Sequence, residues 1–111
     1  MSRVATIPLR KIIRMSERYV SPKHEYKVRE VMKSVETNLR RWPGLLSIET
    51  LVDTEEANKY VVITEWDSRA SMKKWLNSDI CKDTVKELDK VLDKPVSYRE
   101  FMHHEDNVFL L

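Results

Sequence analysis

Residues 59–66 read KYVVITEW, and this run decides the fold. Alternation along an extended strand puts Tyr60, Val62, Thr64 and Trp66 on one face and Val61 and Ile63 on the other. Both faces are apolar, so the strand should be covered on both sides. Before it, LLSIETLVD (residues 45–53) is a half-buried strand, with Leu46, Ile48, Thr50 and Val52 facing one way and Ser47 and Glu49 the other. TEEAN (residues 54–58) is short enough to close the two into a hairpin. After Trp66, Asp67 or Ser68 can cap a helix by accepting from a free backbone N–H.

The rest of the chain is built outward from that hairpin. Val28, Val31, Met32, Val35, Leu39 and Trp42 recur at helical spacing, with Lys27, Arg29, Glu30, Lys33 and Glu36 off the stripe. Ser21 followed by Pro22 reads as the start of this helix, and Pro43-Gly44 as its stop. The helix after Trp66 carries Ala70, Met72, Trp75 and Leu76. Asn77-Ser78-Asp79 breaks it, and Asp79 can cap a second piece bearing Ile80, Thr84, Val85, Leu88, Val91 and Leu92. Lys94-Pro95 ends that piece. VSYREFMH (residues 96–103) alternates as a last strand, with Val96, Tyr98, Glu100 and Met102 against Ser97, Arg99, Phe101 and His103. IPLRKIIRM (residues 7–15) is a first strand with Leu9, Ile13 and Met15 on one face.

The element order is β-α-β-β-α-β with the second helix broken. It predicts a ferredoxin-like α+β fold, a four-stranded antiparallel sheet with its helices on one face. The opposite sheet face is left bare and apolar, which calls for a partner. A second copy related by a twofold axis is the simplest one. The tail, residues 105–111, ends in VFLL and is expected to pack on that partner.

With 111 residues, the chain is read as a single domain spanning 1–111. At 41% hydrophobic and 34% charged it has enough apolar content for a core and is not of a disordered class. No apolar run reaches the roughly 20 residues a membrane span needs. The net charge is +2 with acids and bases interspersed, so a nucleic-acid partner is not expected. Gly44 is the only glycine, which excludes a glycine-rich phosphate loop. Cys81 is the only cysteine, so neither a disulfide framework nor a multi-cysteine metal site can form, and a reducing compartment fits. MSRVATIPLRKII has no signal-peptide apolar segment, which adds to the expectation of a cytoplasmic protein.

RWPGLLSIETLVDTEEANKYVVITEWDSRASMKKWLNSD (residues 41–79) resembles the antibiotic biosynthesis monooxygenase (ABM) domain family. The carrying features are Pro43-Gly44 entering a strand, the acidic turn Asp53 to Glu56, the strand closing on Glu65-Trp66, and the polar cap Asp67-Ser68-Arg69. The resemblance implies a dimeric α+β barrel in which two sheets pack face to face. It implies a ligand pocket between the sheet and its own helices, with Trp66 near it. Some family members oxygenate quinol or polyketide aromatics without a cofactor, and others degrade haem. Haem-degrading relatives use a His on the helix after the tryptophan and an Asn near the first strand. TIPLRKIIRM has no Asn, the segment Ser68 to Asp79 has no His, and Trp75 stands where a His is often found. Haem degradation is therefore disfavoured.

The candidate pocket residues are Trp66, Tyr60, Trp75, Tyr98 and His103. A tryptophan can stack on a flat substrate, or simply fill the core. Tyr60 shares the face of Trp66, and a strand tyrosine can donate to a carbonyl or phenol. His103 could serve as a base near neutral pH, although His103 and His104 point to opposite faces and cannot share a metal. Glu49, Glu65 and Glu100 lie on strands among Lys and Arg and are read as cross-strand ion pairs. Cys81 is read as a small buried hydrophobe. The expectation is an ABM-like domain that acts on a small, quinol-like aromatic with no cofactor and no metal. The alternative is a non-catalytic small-molecule-binding or interaction module on the same fold.

Overall fold

The computed structural model describes residues 10–104. Strand β1 (Ile12–Tyr19) leads through a 3-10 turn (Pro22–His24) into helix α1 (Glu25–Arg40). The hairpin β2 (Leu45–Val52) and β3 (Lys59–Trp66) follows, then α2 (Arg69–Leu76), α3 (Asp79–Asp89) and β4 (Ser97–Met102). The sheet order is β2-β3-β1-β4, and every pairing is antiparallel. This is the ferredoxin-like arrangement, with β1 inserted beside β3 so that two split β-α-β units interlock.

Local chemistry explains each boundary. Gly44 takes φ +91°, a value that other residues rarely adopt, and its carbonyl accepts from the Asp67 backbone N–H at 2.8 Å. A Cβ at this position would collide with the Cβ of Ser71, so the turn between α1 and β2 admits glycine alone. Ser68 caps α2 by accepting from the Ser71 N–H at 3.2 Å. Ser78, rather than Asp79, caps α3, accepting from the Cys81 N–H at 3.2 Å. Ser21 makes no side-chain cap bond, because the 3-10 turn separates it from α1.

The strand read at residues 7–15 lies further along, at Ile12–Tyr19, and residues 7–9 fall outside the described residues. Its register is fixed by the pairs Ile12–Trp66 and Tyr19–Lys59 on one side and Ile12–Met102 on the other. Ile12, Arg14, Ser16 and Arg18 therefore point under the helices, and Ile13 and Met15 point to the open face. A register shift between Leu45 and Ser47 makes Leu46 a bulge residue, 49% exposed, and Leu45 takes its place opposite Trp66. The expected tail contact, residues 105–111, lies outside the described residues.

Two buried clusters fill the space between sheet and helices. The larger joins Ile12, Ile48 and Trp66 to Val35 and Leu39 of α1 and to Met72 and Trp75 of α2. The smaller, Val20 with Val28 and Leu88, closes the far end. Trp42 meets Trp75 edge to face, with ring centroids 5.1 Å apart. Such a pair contributes about 0.5–1.5 kcal/mol beyond its buried area.

Candidate functional site

The larger cluster is not solid. A cavity of about 80 Å³ lies between the sheet and the helices, bordered by Trp66 and Trp75, by Leu39 and Val62, and by Arg14, Arg18, Cys81 and Tyr98. An engineered cavity that admits benzene measures about 150 Å³, so this space as it stands takes a group smaller than a benzene ring, and a ring enters only if the walls give way.

β3 supplies the floor of the cavity. Trp66 is 1% exposed, and its indole N–H donates to the Thr64 hydroxyl at 3.0 Å. That hydroxyl lies 3.5 Å from the Arg14 carbonyl on β1. The tryptophan is therefore held by the sheet rather than by a ligand. Trp75, 6% exposed, reaches the cavity from α2 and also packs on Trp42. Tyr98 enters from β4, with the Arg14 guanidinium 4.0 Å from its ring centre.

Tyr60 and His103 are not among the residues around this cavity. Tyr60 does share the face of Trp66, but six residues at about 3.3 Å each carry it roughly 20 Å along the strand. There its hydroxyl donates to Glu25 at 3.1 Å and it packs on the smaller cluster. His103 sits beyond the end of β4, and its Nε2 lies 2.7 Å from a Glu65 carboxylate oxygen. Glu65 points away from the helices, so this pair belongs to the open face. Glu100 lies 3.7 Å from Arg14, its cross-strand partner, and 3.0 Å from Arg69, as the ion-pair reading expects.

The charged and polar residues that β1 brings to the cavity, Arg14, Ser16 and Arg18, are not among the candidates the sequence suggests. Their i, i+2, i+4 spacing in IIRMSERY marks one strand face, but polar residues on one face ordinarily signal solvent. Arg18 donates to the Ser16 hydroxyl at 2.6 Å, while its Nε is buried with no hydrogen-bond partner. Burial pulls the Arg18 guanidinium below its ordinary pKa, and the neighbouring charge of Arg14 adds to that. Burial pushes the Cys81 thiol up, and Arg14 and Arg18 partly offset it. No group of three or more His, Cys, Asp or Glu side chains suited to hold a metal ion occurs among the described residues. No helix among them is long and apolar enough to cross a membrane.

The molecule is an α+β sandwich of one sheet and one helical layer, with a cavity between the layers bordered by apolar, aromatic and charged side chains. The chain belongs to the antibiotic biosynthesis monooxygenase family, whose model matches residues 11–87. No curated protein matches the sequence. Among solved structures, a conserved protein from Methanosarcina mazei superposes with a TM-score of 0.80 at 18% identity, over 85% of this chain and 93% of that one. A Mycobacterium tuberculosis protein gives 0.76 at 14% identity, over 82% and 92%. A structure described as an antibiotic biosynthesis monooxygenase gives 0.75 at 16% identity, over 81% and 95%. At these identities the likeness concerns the fold.

Proposed function

We propose that this protein binds a small, largely apolar molecule between its sheet and helices and oxygenates it as a cofactor-independent monooxygenase. The substrate class is a single-ring, quinol-like aromatic. The observation that carries this reading is the cavity bordered by Trp66 and Trp75, about 80 Å³ at rest, whose walls have to yield roughly as much volume again to admit a ring. In such a reaction the substrate supplies every electron. A quinol and dioxygen give a hydroxyquinone and water: one oxygen atom enters the ring as hydroxyl, and the other leaves as water with two hydrogens from the substrate. The protein contributes a dry pocket, aromatic walls for the ring and a fixed orientation. The test is oxygen uptake with a panel of single-ring quinols, measured above their autoxidation in buffer. Catalysed uptake that falls in Trp66→Phe supports the proposal, and no uptake above autoxidation by the wild type sinks it.

A second reading, binding without turnover, has its own support. No His, Asp, Glu or Lys is among the described residues around the cavity, so of the general acid–base types only Tyr98 and Cys81 border it. Calorimetric binding of a quinol with no oxygen uptake would favour it.

The working assembly proposed is a homodimer through the open sheet face. Ile13, Met15, Val61 and Ile63 are only half-buried there, and Leu51 and Phe101 are 44% and 38% exposed. The expected light-scattering mass at micromolar concentration is that of two chains, and a one-chain mass overturns the dimer. The single cysteine, reduced and buried, suits the cytoplasm as the proposed location.

A further inference from the structure

The cavity contains charge that an apolar pocket does not need. Arg14 and Arg18 both border it, and no carboxylate does among the described residues. Four residues apart on β1, they share a strand face, and Arg18 folds back along the strand to the Ser16 hydroxyl, towards Arg14. The two guanidiniums are close enough for the charge of Arg14 to act on Arg18. The other groups that act electrostatically on Arg18 are a phenol, Tyr98, and a thiol, Cys81. Among the described residues the carboxylate paired with Arg14, that of Glu100, is held more closely by Arg69, at 3.0 Å, than by Arg14, at 3.7 Å. Arg18 is left with a buried Nε that has no hydrogen-bond partner among the described residues.

A buried cation without an anion is costly, because it has lost its water and gained no counter-charge. An anion that arrives in the cavity regains that energy. A guanidinium presents a planar fork of donors that matches a carboxylate. Apart from Ser16, Thr64, Thr84 and Cys81 the remaining wall is apolar and aromatic, and the volume is small. We propose that this cavity selects a small carboxylate, with its anionic head between Arg14 and Arg18 and its apolar body against Trp66 and Trp75. The inference rests on reading this cavity as the ligand site and names the class of molecule that the site accepts.

The test is a titration of the full chain with isobutyrate against isobutyramide, and with benzoate against benzamide. Tryptophan fluorescence reads it, because Trp66 and Trp75 border the cavity. At least one acid is expected to bind tenfold or more tightly than its amide, a difference of about 1.4 kcal/mol. Arg18→Met is expected to abolish the preference and Arg18→Lys to keep part of it, with thermal unfolding to show that both variants fold. Cys81 supplies a second readout in the unaltered protein, since it borders the same cavity and is the only thiol. The acid, and not the amide, is expected to slow its alkylation. Equal binding of acid and amide in both pairs, or no binding of either acid at millimolar concentration, overturns the inference. Oxygen uptake plays no part in this measurement. A chain that binds the acid and consumes no oxygen keeps this inference and loses the oxygenase reading, and one that oxidises quinols but ignores both acids does the reverse.

Discussion

Between Ile12 and Val20 the two faces of β1 exchange their usual character. The face under the helices carries Arg14, Ser16 and Arg18, while the face open to the surroundings carries Ile13 and Met15. In a sheet with one covered face the expected pattern is apolar inward and polar outward. On the neighbouring β3 the covered face is more ordinary, with Val62 and Trp66 around Thr64, all buried. The comparison assigns the two faces different tasks. Two guanidiniums on a covered face are unusual for a core, because replacing buried charges with well-packed apolar residues is often neutral or stabilising. An open face that keeps aliphatic residues is suited to a second sheet.

The largest effect is expected on the covered face. Trp66→Ala removes the floor of the cavity and a residue that joins β3 to both helical segments. The expected loss is about 3–5 kcal/mol, the usual cost of an aromatic truncated to alanine in a core. Urea unfolding measures it, as a lower midpoint at an unchanged slope. A loss below about 1 kcal/mol would mean that the covered face tolerates a much larger void than its packing suggests.

On the open face the same logic predicts loss of assembly with little loss of fold. Ile63 pairs with Met15 on β1 and Glu49 on β2, near the middle of that face. Ile63→Asp would place an unpaired charge in the interface, at a cost of about 2–5 kcal/mol to association. The expected result is a mass that drops from two chains to one while the circular dichroism spectrum is retained. If the wild type and the variant have the same mass, the open face is not the interface.

The contrast between the faces also separates what was legible in the sequence from what was not. The hairpin, the Gly44 turn, the broken second helix and the place of Trp66 were legible, because each depends on local chemistry: alternation, φ, caps and periodicity. The first strand was not placed correctly. IIRMSERY offers no apolar alternation on its covered face, which is occupied by arginines and a serine, whereas Leu9, Ile13 and Met15 alternate and draw the expected strand towards Leu9. Ile13 and Met15 were assigned to one face, and they do share it, but it is the open one. Leu46 was misassigned by a bulge that shifts the register by one. Tyr60 illustrates another limit: alternation gives the face of a residue but not which end of the strand meets the ligand. For His103 the face depends on pairing with β1, where Met102 stands opposite Ile12, and sequence alone does not fix that register.

Tyr60→Phe sharpens the comparison along the covered face. It removes one hydrogen bond, to Glu25, at the closed end. The expected cost is about 1 kcal/mol in unfolding free energy. Ligand affinity is expected to stay unchanged, because Tyr60 is not among the residues around the cavity. A change in affinity comparable to that of a cavity residue would place the ligand further along β3 than the cavity extends.

The smallest expected effect is a shift in the titration of Cys81, and it tests whether the two arginines act electrostatically on the cavity. Burial raises the thiol pKa, and the positive charges of Arg14 and Arg18 lower it again. A nearby cation favours the thiolate, so removing one moves the pKa upward. Only the thiolate reacts with iodoacetamide, so the rate follows the thiolate fraction as pH rises. In Arg18→Met the midpoint of that profile is expected at higher pH than in the wild type. The shorter methionine side chain could also make the thiol easier to reach, but easier access raises the rate at every pH and leaves the midpoint in place. The midpoint therefore isolates the charge. Unfolding of Arg18→Met is expected at the same or a higher temperature, since the substitution removes a partly buried cation whose buried Nε has no partner among the described residues. A midpoint that stays put or falls would mean that Arg18 holds its charge away from the cavity, and the covered face of β1 would then be polar for a reason other than the ligand.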